Sequence, residues 1–148
     1  MKDRAKWSVF WALVGIFVLV ALLVPIPTVR NLLKMDILLL ATGVSLLVLG
    51  ATLIVYTVKD RTGGLLRAFL ILTGASAAGI TVSVLLHNAV YGIFIHWFGS
   101  DFWDRIGLTD EPFFFFLGLV VCPVAFIIGS IGSIVLTLRH ERASAGTR

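Results

Sequence analysis

The stretch from His87 to Pro112, HNAVYGIFIHWFGSDFWDRIGLTDEP, holds most of the side chains with which this chain could do chemistry. Two of the three histidines, His87 and His96, lie in it together with Asp101, Asp104, Asp110 and Glu111. A histidine exchanges protons near neutral pH and ligates metals. Carboxylates can complete a shell around zinc or a harder cation. His87 follows Ser83 by one helical turn and precedes Tyr91 by one, so the three share a face. Asn88, the next residue, turns to another. His87, Asn88, Tyr91 and His96 are the candidate polar site, suited to a weakly polar ligand or to proton transfer.

A plainer account competes with each of these roles. In a membrane bundle His, Asn and Ser make helix-to-helix hydrogen bonds worth about 1 kcal/mol or less. Near an interface water is close, and a relay through His87 is not needed. His96 with Asp101, Asp104, Asp110 and Glu111 could hold a divalent metal, but the set has no standard metal spacing, and its acids serve helix starts. Asp101 or Asp104 can cap a short interfacial helix, and Asp110 and Glu111 precede the last apolar segment. A bis-histidine haem needs two opposed axial ligands, whereas His87 and His96 share one segment and His140 lies beyond the last. The one cysteine, Cys122, excludes an intrachain disulfide and a dithiol redox couple. In apolar surroundings beside Pro123 it reads as an inert thiol. No catalytic residue, metal site or cofactor is assigned from the sequence.

The elements that must position these side chains are four long apolar segments, at about residues 7–24, 37–58, 65–90 and 112–138. Each has the roughly 20 residues needed to cross a hydrocarbon core of about 30 Å. The expected fold class is all-α: a polytopic four-transmembrane-helix bundle forming one domain over residues 1–138, with a basic, disordered tail over 139–148. The first segment follows a basic stretch as a signal peptide does. Its apolar run is longer than an h-region, however, and no A-x-A-like site follows, so it reads as a retained helix ended by Pro25 and Pro27. The polar turn from Lys59 to Gly64 is short, which makes segments two and three antiparallel neighbours. From Ala68 to Trp97, 30 residues carry no formal charge. At about 1.5 Å per residue that run exceeds the core, so segment three tilts or projects from it. Counting about 20 residues from Leu65 places His87 and Asn88 at the far interface. Trp97, Phe98, Phe102, Trp103 and Ile106 then form an aromatic surface at headgroup level.

Small residues mark the packing faces. Segment three has Gly74-Ala75-Ser76-Ala77-Ala78-Gly79 at its centre, and segment four carries Gly118, Cys122, Ala125, Gly129 and Gly132 in alternating steps of four and three. Small side chains let helix backbones approach in lipid. Gly74, Ala78 and the five-residue seam are therefore the expected helix-packing positions, with segment three at the bundle centre. Gly43 and Gly50 of segment two are a heptad apart. Segment one, without a polar group in its middle, is expected to be the most lipid-exposed. Pro123 cannot donate to the Leu119 carbonyl, so a kink is expected there.

Of the 12 basic residues, nine (Lys2, Arg4, Lys6, Lys59, Arg61, Arg67, Arg139, Arg142, Arg148) lie at the N-terminus, the two-three turn and the C-terminal tail. Arg30, Lys34 and Arg105 lie in the other two connections. The positive-inside rule then puts both termini in the cytoplasm. Basic residues beside apolar segments are explained by anionic lipid, so the bilayer is the first partner and nucleic acid is not one. Short loops without sorting signals fit a prokaryotic plasma (inner) membrane. No Asp, Glu, Lys or Arg lies in the central part of any span, unlike an ion-coupled exporter. There is no nucleotide-binding glycine loop and no H-E-x-x-H helix. The reading that follows is a non-enzymatic integral membrane protein that associates, with itself or with a membrane protein partner, through its small-residue helix faces. The alternatives are a small permease or ligand-binding protein using the outer end of segment three, and a metal-dependent membrane enzyme using the outer acids.

Overall fold

Hydrocarbon offers no partner to a backbone N–H or C=O, so long apolar runs in it fold as helices that satisfy themselves. The computed structural model describes residues 2–26, 35–60 and 62–145, and it has that form. Its helices are α1 (Lys2–Leu23), α2 (Met35–Lys59), α3 (Gly64–Phe98), the short α4 (Phe102–Arg105), α5 (Pro112–Phe116) and α6 (Cys122–Ala145). A π-helical turn, Leu117–Val121, joins α5 to α6, and the three together make a fourth span. The described residues contain no strand, and four helices are long and apolar enough to cross a membrane.

Two helices outrun their expected ends. From Ala89 to Phe98 nothing breaks α3, and it stops only where Gly99 takes φ 96° and closes its N–H on the Ile95 carbonyl. Its 35 residues amount to about 52 Å, so one end must leave a core of about 30 Å. At the C-terminus α6 continues through Ala145. Arg139, Glu141, Arg142 and Ala143 are helix formers, and residues 139–145, expected to be disordered, are helical. Residues 146–148 lie outside the described residues, as do Pro27, Arg30 and Lys34 of the first connection and Arg61 of the second turn. In the fourth span the Cys122 N–H reaches back five residues to the Leu117 carbonyl. This wide turn lies just ahead of Pro123 and is the local form that the expected break takes.

Helix α3 packs against α2 on one side and the fourth span on the other. A Cβ added to Gly50 would lie 2.5 Å from the Gly74 carbonyl oxygen, and one on Gly74 would lie 2.7 Å from that of Gly50. Further along, the Thr81 hydroxyl donates to the Gly43 carbonyl at 2.8 Å. On the opposite side Gly118 lies on Ser83, Cys122 Sγ on Gly79, Gly129 on Thr73 and Gly132 on the ring of Phe69. Helix α1 lies beside α2 and reaches the fourth span by stacking Phe17 on Phe126, ring centroids 4.4 Å apart. Phe10, Leu13, Leu46, Leu53, Leu70, Ala77 and Phe126 form the apolar core. Helix α1 is no less buried than α2, so the two share the role of most lipid-exposed span.

The start of α1 and the latter part of α6 lie at one end, where Trp7 and Trp11 face Ile134 and Leu138 across a cleft. There the buried Lys6 ammonium lies 3.0 Å from Thr62 Oγ1 and 3.6 Å from Asp60 Oδ2, tying α1 to the α2–α3 turn.

Two outcomes follow from this packing. Gly50→Ala should lower stability by about 1–3 kcal/mol, because its methyl meets backbone that cannot yield. Gly92→Ala, which meets nothing within 4 Å, should be neutral or stabilising by up to about 1 kcal/mol. Thermal unfolding in one detergent compares them. Lys6→Met should cost about 3 kcal/mol by leaving Asp60 buried without its cation. Adding Asp60→Asn should restore most of that loss in the same assay.

Candidate functional site at the loop end

At the end of the bundle away from the termini, α3 rises beside the segment that returns to the fourth span. Glu111 occupies the N-cap of α5, with Pro112 at the first helical position, where its missing N–H is harmless. Its carboxylate accepts from the Phe113 N–H at 2.7 Å and from the Phe114 N–H at 2.9 Å. Asp110 turns one carboxylate oxygen back to accept from the Glu111 N–H at 2.7 Å. The two acids thus satisfy the orphan donors of the fourth span, as helix starts require.

The same acids also face α3. His87 Nδ1 lies 3.1 Å from the Glu111 carbonyl oxygen and 3.4 Å from its Oε2, and Nε2 lies 3.4 Å from Asp110 Oδ2. Every group facing the two ring nitrogens here is an oxygen acceptor. A neutral imidazole donates from one of its two nitrogens. Glu111 is almost wholly enclosed, whereas Asp110 is half exposed, so the ring spans the boundary between the bundle and its surroundings.

Aromatic side chains extend this contact along α3. Tyr91 lies between His87 and Trp103, with centroids 6.5 and 5.8 Å away and planes within 17° and 10° of parallel. Phe94 touches Phe98, Phe102 and Trp103. The loop is therefore folded down on α3 as a cap, with α4 supplying Phe102 and the buried Trp103. Arg105 closes it by pairing with Asp101 at 3.3 Å and donating to the Phe98 carbonyl. Asp101 sits at the N-cap of α4 but makes no side-chain capping bond, contrary to one of the roles expected for it. The indole N–H of Trp103 is buried and has no acceptor among the described residues.

Of the four candidate polar residues the structure brings together His87 and Tyr91. Asn88 is exposed and donates to the carbonyl of Val84 in its own helix at 2.8 Å. His96 is exposed, two turns further out. Cys122 packs on Gly79, a residue more than two turns from His87 on α3, so the thiol and the imidazole lie at different depths. Among the described residues no three His, Cys, Asp or Glu side chains are grouped to hold a metal. The two carboxylates at His87 face different ring nitrogens, so these donors do not converge on one point. Neither the pairing of His87 with Asp110 and Glu111 nor that of Tyr91 with Trp103 is expected from the sequence. Glu-Pro before an apolar run signals a helix start, but no spacing rule tells that the capping carboxylate also faces a histidine 24 positions earlier.

Four helices of this length and apolarity are those of a small multi-pass integral membrane protein. Comparison with family models, with curated proteins and with solved structures finds no match to the chain.

Removing the double role of Glu111 should be costly. Glu111→Ala should lose about 1–3 kcal/mol from the lost cap and the lost bonds to a charged group, with faster amide exchange over residues 99–116. His87→Ala should speed exchange over 99–111 while leaving α1 and α2 protected. Asn88→Ala should change neither. Hydrogen–deuterium exchange in detergent reads all three.

Proposed function

We propose that the chain is a non-enzymatic membrane protein that associates with another membrane protein, and that the projecting turns of α3 carry the contact. The supporting observation is a stripe on α3 formed by Leu86, Ala89, Ile93 and Trp97, spaced by three, four and four residues and exposed throughout. The pairing of Gly50 with Gly74 and of Gly43 with Thr81 brings the start of α2 level with about Ala89. The rest of α3 rises past it. Ile93 and Trp97 lie more than 25 residues into a helix that needs about 20 to cross the core, so lipid chains do not account for their exposure. Trp97 is 73% exposed, more than any other large apolar side chain described. Gly92, beside the stripe, is open to close approach by a second helix.

The host is a prokaryotic plasma membrane, with both termini in the cytoplasm and the cap on the outer side. A photo-crosslinking residue at Ile93 or Trp97 should give an adduct of one discrete mass, and the same residue at Leu22 only lipid adducts. No protein adduct from either α3 position would remove this reading. For topology, Ser100→Cys should react with a membrane-impermeant maleimide in intact cells, and Lys2→Cys only after permeabilisation. The reverse pattern would invert the assignment.

A second reading, a binding site for a small ligand under the cap, is favoured by the buried Trp103 N–H. A ligand carbonyl could satisfy it if the loop opened. His87 and Tyr91 are otherwise occupied by the chain's own groups, which supports the association reading first.

A further inference from the structure

At the end that carries the start of α1, α1 and α6 part to leave a cleft of about 250 Å3, lined by Trp7, Trp11, Ile134, Thr137 and Leu138. Its walls are apolar. The Thr137 hydroxyl donates to the Ser133 carbonyl of its own helix at 2.8 Å and has no need of a partner in the cleft. Trp7 and Trp11 are both braced edge-on by Phe10, with centroids 5.2 and 5.4 Å away, and Phe10 is wholly buried. The aromatic wall is thus fixed to the core.

Helical register carries each wall to an arginine. Arg4, Trp7 and Trp11 follow one another by three and four residues on α1, and Ile134, Leu138 and Arg142 by four and four on α6. Both arginines are exposed. Among the described residues this end carries seven basic residues (Lys2, Arg4, Lys6, Lys59, Arg67, Arg139, Arg142) against three acids, Asp3, Asp60 and Glu141, and Asp60 is already faced by Lys6. An apolar slot with tryptophan at the interface and guanidinium groups beyond it is complementary to one kind of molecule. Lipid tails need the slot, and a phosphate matches the guanidinium fork.

We propose that this cleft binds one anionic phospholipid of the surrounding leaflet. An acyl chain lies between the Trp7–Trp11 wall and the Ile134–Leu138 wall, and the headgroup phosphate is held by Arg4 and Arg142. The excess of positive charge selects an anionic lipid over a zwitterionic one of the same chain length. The site does not depend on the association reading, since it lies at the opposite end of the molecule from Ile93 and Trp97.

Native mass spectrometry of the full chain in mild detergent, titrated with phosphatidylglycerol or phosphatidylcholine of identical chains, tests it. One phosphatidylglycerol per chain should be retained in preference to phosphatidylcholine. Each arginine near a charged surface contributes about fivefold. Arg4→Gln should therefore weaken phosphatidylglycerol binding about fivefold and the double variant Arg4→Gln/Arg142→Gln about thirtyfold, with phosphatidylcholine binding unchanged. Trp11→Ala should weaken both lipids, and Arg105→Gln at the far end should weaken neither. Equal retention of the two lipids by the unaltered chain overturns the proposal. So does a double variant that binds phosphatidylglycerol as tightly as the parent, or a loss at Arg105→Gln equal to that of the double variant.

Discussion

Where α2 crosses α3, and where α3 meets the fourth span, there is no room for a Cβ. Lipid chains are as apolar as leucine, so two helices gain nothing by hiding from them. They associate because backbone and side-chain atoms pack more closely on each other than on lipid. Glycine at Gly50, Gly74, Gly118, Gly129 and Gly132 permits that approach, and Thr73, Ser83, Phe69 and Cys122 fill the space it leaves. The contacts also fix height. Once Gly50 is set against Gly74, the antiparallel register decides where α2 begins relative to α3. It thereby decides how much of α3 stands beyond its neighbour. The projecting turns and the cap on them are consequences of the crossing.

Polar groups follow a rule of the same origin. Inside the spans several hydroxyls bond to the preceding turn of their own helix, as at Thr57, Thr73 and Thr137. Such bonds satisfy the hydroxyl without holding two helices together. Cross-element polar contacts with ionisable groups occur at the ends, where water is near: Lys6 with Asp60 and Thr62 at one, His87 with Asp110 and Glu111 at the other. Each joins a helix to a turn or return that is distant from it in sequence. His87 ties α3 to the start of the fourth span.

The four spans were legible because length and apolarity alone decide whether a helix crosses a membrane. The small-residue seam was legible as a face because steps of four and three keep its residues on one side of a helix, but its partner was not. The ends of α3 and α6 were not. Expected ends were placed where the bilayer ends, whereas a helix ends where the backbone is interrupted, at Gly99 in one case. The cap was legible only in part. Aromatic composition announced an interfacial surface, but the stacking of Tyr91 between His87 and Trp103 depends on how a 13-residue return folds, and no periodicity encodes that.

That the seams are filled from within changes what a small-residue face implies. Read along one segment, Gly118, Cys122, Gly129 and Gly132 could serve an identical copy as well as a neighbour in the same chain. In the folded molecule these four positions lie on Ser83, Gly79, Thr73 and Phe69 of α3. A second copy would have to displace α3 to reach them. That would cost the packing that defines the bundle, so self-association through this seam conflicts with the fold itself. The far turns of α3 differ from the seam in this respect, since Ile93 and Trp97 there stay exposed and take no part in the packing of the bundle, which is why the proposed contact is placed on them and not on the seam.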